Sequence, residues 1–213
     1  MTPLTTPDVR DYTAFAAWSA VNSESLACAK GQEKTAEADI ARLQTISDKA
    51  YATRDAAQAQ CNDLQSQITV LRNDYDGDGA TEAFNAILDA TPGERSDFAD
   101  VRARGGQLLA VLTEAVKHHA TRRYPLLDLA AQRANCALLS AVADRHVWEA
   151  CVAGIERHLA SAALVSVDGR VSYASQGGRV NELRATASYA MGRYGDAEAS
   201  LRATEKQMES RGY

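Results

Sequence analysis

Asp74, Asp76, Asp78, Ala80, Glu82 and Asn85 carry the one pattern in this chain whose spacing points to a chemistry. In DYDGDGATEAFN (74–85) the three aspartates stand at the first, third and fifth positions of a calcium-binding loop of the EF-hand type. Gly79 follows at the sixth, where the backbone must turn sharply, and Glu82 at the ninth; the Ala80 carbonyl would supply a main-chain ligand. Hard carboxylate and carbonyl oxygens at these offsets suit Ca2+. The last position departs from the pattern, because Asn85 offers one neutral oxygen where a bidentate carboxylate is needed, and Thr81 occupies a normally apolar position. The stretch therefore either holds calcium weakly, at roughly 10⁻⁴–10⁻³ M, or is an acidic turn between two helices. Calcium is the only cofactor that the sequence suggests.

Other chemistry-bearing residues fall into less specific arrangements. His118 and His119 are adjacent, so on a helix they point ~100° apart, whereas helical metal ligands sit three or four residues apart. With Lys117, Arg122 and Arg123 they read as a solvated cationic cluster suited to a helix C-terminus. His146 and Glu149 share a helix face and could exchange a proton, but no nucleophile or oxyanion site accompanies them. Nucleophile elbow, phosphate-binding glycine loop and HExxH motif are all absent. The expectation is a protein that is not an enzyme.

The elements that carry these residues read as helices. Thr6, Pro7 and Asp8 make a helix start, and Val9, Tyr12, Phe15 and Ala16 one apolar face, with Trp18 at its edge. Asn22 or Ser23 should begin a second, long helix over about 23–72, which no proline interrupts, although Gly31 could break it. Leu43, Ile46, Ala50, Thr53 and Ala57 step by three and four residues as a coiled-coil seam does, and Leu64, Ile68 and Leu71 continue it. After a short helix at 81–90 and the TPGE turn, a helix with Val101, Leu108, Leu112 and Val116 should kink at Gly105–Gly106. Pro125 should start a new segment, and the run to Leu159 reads as the strongest core helix.

ALVSVDGRVSYAS (about 163–175) alternates apolar and polar residues around Asp168-Gly169, which predicts a β-hairpin with a two-residue turn. Val165, Val167, Val171 and Tyr173 would then form an assembly edge able to add to a neighbour. Two helices, about 179–191 and 195–211, should follow, with Tyr189 and Tyr194 packed at the turn between them. The predicted fold class is all-α: a helical bundle with one long coiled-coil-like helix and a small hairpin. Residues 1–90 and 91–213 form two candidate domains, or one continuous domain.

Composition narrows the function. Of 213 residues only four are proline, and the net charge of −5 gives no case for nucleic-acid binding. No apolar run is long enough to span a membrane, and MTPLTTPDVRDY lacks the basic start and apolar core of a secretion signal. The expected setting is the cytoplasm. Cys28, Cys61, Cys136 and Cys151 are widely spaced and read as buried free thiols on helices, in preference to structural disulfides and without a zinc or redox motif.

LTTPDVRDYTAFAAW (4–18), followed by SESLACAKGQEKTAEADIARL, resembles the opening of head-to-tail adaptor (connector) proteins of tailed phages. Those begin with a Thr-Pro-Asp-capped helix followed by a helix of regularly spaced Leu, Ile and Ala. The long alanine-rich helix and the acidic loop depart from the compact bundles of that family. The resemblance implies a structural virion protein without an active site, assembled in the host cytoplasm. It would form a homo-oligomeric ring and bind other virion proteins at the neck, with the 163–175 hairpin meeting neighbouring subunits.

Overall fold

The computed structural model describes residues 12–76, 95–161 and 167–213, and these are almost entirely helical. Helix α1 covers Tyr12–Asp76, α2 Arg95–His118, α3 Tyr124–Ala160 and α4 Val167–Ser210, with a π-helical turn, His119–Arg123, joining α2 to α3.

The two breaks expected early in the chain are not there: α1 is one helix of 65 residues. Asn22, one of the two expected starts, bonds back onto the turn before it, and so does Ser25. Asn22 Nδ2 donates to the Trp18 carbonyl at 2.8 Å, and Ser25 Oγ donates to that of Val21 at 2.9 Å. Thr35 does the same to Gly31 across the suspected weak point.

Burial along α1 repeats every seven residues. Asn22, Ala29, Ala36, Leu43, Ala50, Ala57 and Leu64 alternate with Leu26, Glu33, Ile40, Ser47, Arg54, Cys61 and Ile68, all buried or half-buried. Leu43, Ala50, Ala57, Leu64 and Ile68 therefore lie on the seam where the sequence put them. Ile46 and Thr53 do not; they are exposed, and Ser47 and Arg54 take their places.

The chain divides into two compact units, one of residues 1–48 with 132–213 and the other of residues 49–131. In the first unit α3 lies antiparallel to both of its neighbours. Along α1 it pairs Arg145 with Glu37 (3.5 Å) and Glu156 with Lys30 (2.9 Å); along α4 it pairs Arg133 with Glu205 (2.8 Å). Gln132 accepts from the Thr204 hydroxyl at 3.0 Å. A helix flanked on two sides must be apolar over most of its surface, and Leu138, Ala141, Ala143, Val152 and Ala153 are all buried. The reading of 125–159 as the main core helix holds.

Helix α4 carries a second heptad seam. Tyr173, Val180, Ala187, Tyr194, Leu201 and Met208 recur every seven residues, with Gln176, Leu183, Ala190, Ala197 and Thr204 three residues after each of the first five. This pattern passes straight through the predicted hairpin. Residues 167–175 are helical, and no strand occurs among the described residues; Val165 lies outside them. A lone two-stranded hairpin is marginal in water, whereas the helix seats Tyr173 under the Arg157 guanidinium, 4.3 Å from the ring centroid. Asp168 and Gly169 thus sit in a helical first turn, and Val171 faces outward at 65% exposure. The two expected C-terminal helices are likewise one: Tyr194 lies in the seam and Tyr189 is exposed.

In the second unit the chain also continues where a break was expected. Gly105–Gly106 lies inside α2, and Pro125 stands in the first turn of α3, which the π-helical turn joins to α2 without a loop. A proline inside an α-helix clashes with the carbonyl four residues back. Here the preceding turn widens to a π-turn, in which the Tyr124 N–H bonds to the His119 carbonyl. The extra residue absorbs the proline and turns His119 inward, so that it is 6% exposed beside Tyr124 (ring centroids 6.0 Å apart). The cationic cluster is therefore split: His118 is exposed and His119 is not.

Candidate functional site

In the first unit α1, α3 and α4 face one another around a groove of about 1030 Å³. Small residues create it. Ala29, Ala150, Gly154 and Ala187 stand where larger side chains would close the space, and a Cβ on Gly154 would meet nothing within 4 Å. Val21, Val147, Trp148 and Ile155 supply the apolar surface. Mostly apolar concavities between bundle helices are common ligand and peptide sites.

Polar groups sit at defined places on this surface. Arg157 stacks over Tyr173 and rests against Gly177, where a Cβ would stand 2.9 Å from its Nη2. Its Nε is buried without a hydrogen-bond partner. Arg184, exposed on α4, makes no ion pair among the described residues, and no acidic side chain lines the groove. The Trp18 indole N–H donates to His158 Nε2 at 3.3 Å, and the rings meet edge to face at 5.2 Å. That contact fixes the imidazole at the groove wall. Cys28 and Cys151 also line the groove and are exposed free thiols; Cys61 and Cys136 are buried, and burial pushes the Cys136 thiol pKa up.

This arrangement suits binding. An apolar floor recognises apolar surface, and two guanidiniums without internal carboxylate partners recognise anions. Among the described residues no three His, Cys, Asp or Glu side chains converge as metal ligands.

The residues singled out from the sequence lie elsewhere. Asp74–Asp76 form the last backbone turn of α1, and Asp78, Ala80, Glu82 and Asn85 lie outside the described residues. His146 Nδ1 and Glu149 Oε2 do meet, at 3.3 Å, but Arg145 approaches the same carboxylate at 3.9 Å and reaches Glu37 as well. Glu149 is thereby part of an ion-pair network that links α3 to α1. Of the expected hairpin set, Tyr173 lines the groove. The groove itself was missed. Its trace in the sequence is the set of alanines and a glycine at Ala29, Ala150, Gly154 and Ala187, which becomes visible only when three segments distant in sequence are brought together.

No protein-family model, curated protein or solved structure matches this chain.

Proposed function

We infer that the protein is a non-enzymatic assembly component whose helices dock on neighbouring proteins. The observation that carries this reading is where the large apolar side chains stand. About half of the seam positions on α1 and α4 are alanine or polar, while Val111 (66% exposed), Val171 (65%) and Tyr189 (70%) stand on outer helix faces. Single exposed apolar residues are ordinary; here they accompany seams that leave much of the helix surface uncovered. The N-terminal resemblance gives the setting: the head–tail neck of a phage particle, with portal-type proteins and copies of this chain as partners. Docking in that setting would use helix faces, since residues 167–175 are helical and offer no strand edge.

The test is the native mass of the complex purified on a tag from the producing cell. Recovery in a large symmetric particle with portal- or capsid-sized proteins supports the reading. Recovery as a small free species refutes it.

A further inference from the structure

We propose that the groove of the first unit is a docking site for an amphipathic helix of a partner protein, one bearing two carboxylates seven residues apart beside its apolar stripe. This rests on the assembly reading and specifies the chemistry of the partner. The groove floor runs along α3 from Val147 to His158, about three helical turns or ~16 Å. Its apolar part is Val21, Val147, Trp148 and Ile155 over small residues, which accepts a row of side chains at i, i+3/i+4 and i+7.

Charge complementarity selects the occupant. The Arg157 guanidinium rests at Gly177, and Arg184 follows seven residues later on the same helix, ~10 Å along its axis. Carboxylates at i and i+7 of a docked helix recur on one face at that same spacing. A single-headed anionic lipid would meet one guanidinium and leave the other unmatched. A basic or neutral helix would leave both unmatched, and no acidic side chain in the groove lining offsets them. Two exposed thiols, Cys28 and Cys151, lie on the surface that the partner would cover.

The test uses the full chain and three probes: an 18-residue helical peptide with a leucine stripe and glutamates seven apart, the same peptide with glutamines, and laurate. Binding is read by tryptophan fluorescence, since Trp148 lines the groove, and by the alkylation rates of Cys28 and Cys151. The glutamate peptide should bind and slow alkylation of both thiols, and the glutamine peptide should bind about ten-fold more weakly. Arg157→Gln and Arg184→Gln should each weaken the glutamate peptide about three- to ten-fold and leave the glutamine peptide unchanged. Gly154→Leu, which fills open space on a helix and improves helix propensity, should remove binding of both peptides without unfolding the chain.

Equal affinity for the two peptides, no binding of either at millimolar concentration, or laurate binding that needs Arg157 alone would each overturn the proposal. These failures differ from failure of the assembly reading. The Arg157→Gln/Arg184→Gln protein recovered in an unchanged large particle, with no peptide binding by the parent, would remove the groove from an assembly that still stands.

Discussion

The buried imidazole of His119 gives the sharpest prediction about stability. Its Nε2 is buried without a hydrogen-bond partner, and the side chain is 6% exposed. Burial first, then the positive charge of Arg123, then that of His118, hold its pKa below the ordinary 6.5. The folded protein therefore keeps this ring neutral where the unfolded chain would protonate it. The associated stability is fully present above about pH 6.5 and is lost as pH falls from there toward the lowered folded value. One such proton changes stability by up to about 1.4 kcal/mol per pH unit, and acidification from 7.5 to 5.5 should cost the parent no more than about 1.4 kcal/mol through this group. In His119→Leu that component vanishes. At pH 7.5 the variant should be close to neutral: removing an orphaned polar atom gains about 1–2 kcal/mol, and losing the ring contact with Tyr124 costs about 1 kcal/mol. Hydrogen exchange by mass spectrometry over residues 106–131, at both pH values, reads the local opening free energy. An unchanged pH dependence in the variant, or a parent that gains stability on acidification, would refute the reasoning.

Four further outcomes follow from the packing. Gly178→Ala, at an exposed helical position with nothing within 4 Å of a new Cβ, should raise stability by about 0.5–1 kcal/mol in urea unfolding; Gly177→Ala should not, because its Cβ meets Arg157 at 2.9 Å. Arg54 bonds the half-buried Asp128 at 3.1 Å, and a double-mutant cycle with Arg54→Ala and Asp128→Ala should return a coupling of about 1 kcal/mol that shrinks in high salt. Val180→Ala, at a 2% exposed seam position, should cost about 2 kcal/mol by the same measurement. In the native protein Cys28 and Cys151 should react with a thiol reagent within minutes, while Cys61 and Cys136 should react only on unfolding.

Helix type and the central role of 125–159 were legible because long proline-poor stretches with apolar residues at helical spacing admit little else. The seam of α1 was half legible for a physical reason. Leu43, Ala50, Ala57, Leu64 and Ile68 obey the apolar rule, but Ser47 and Arg54 do not, so the sequence pointed to Ile46 and Thr53 one position away. Arg54 is tolerated there because Asp55 and Asp128 bond its guanidinium, which raises its pKa, and Tyr51 stacks beneath it, contacts that a one-dimensional pattern cannot show. The hairpin failed on a related ambiguity. Asp-Gly between alternating residues is a strong local turn signal, yet the register that fixed α4 is set by Val180, Ala187, Leu201 and Met208 far downstream. At Pro125 the breaker rule met a remedy, the widened turn, that needs one extra residue and leaves no mark in composition.

The same seams bear on how much each helical turn contributes to stability. A buried alanine methyl contributes about 0.8 kcal/mol, whereas a fully buried leucine or isoleucine contributes roughly 2–3 kcal/mol. Ala29, Ala36 and Ala57 on α1 and Ala187 and Ala190 on α4 take positions that leucine fills in strong coiled coils. These seams draw helices close but gain little per turn, and Ser47, Glu33 and Arg54 trade further apolar burial for register. Val111, Val171 and Tyr189 meanwhile keep their apolar surface in water. Any protein that covers those side chains would stabilise the fold by mass action according to its affinity. Thin internal seams and outward apolar residues are thus two sides of one distribution, which suits a chain whose stability is completed by what it binds.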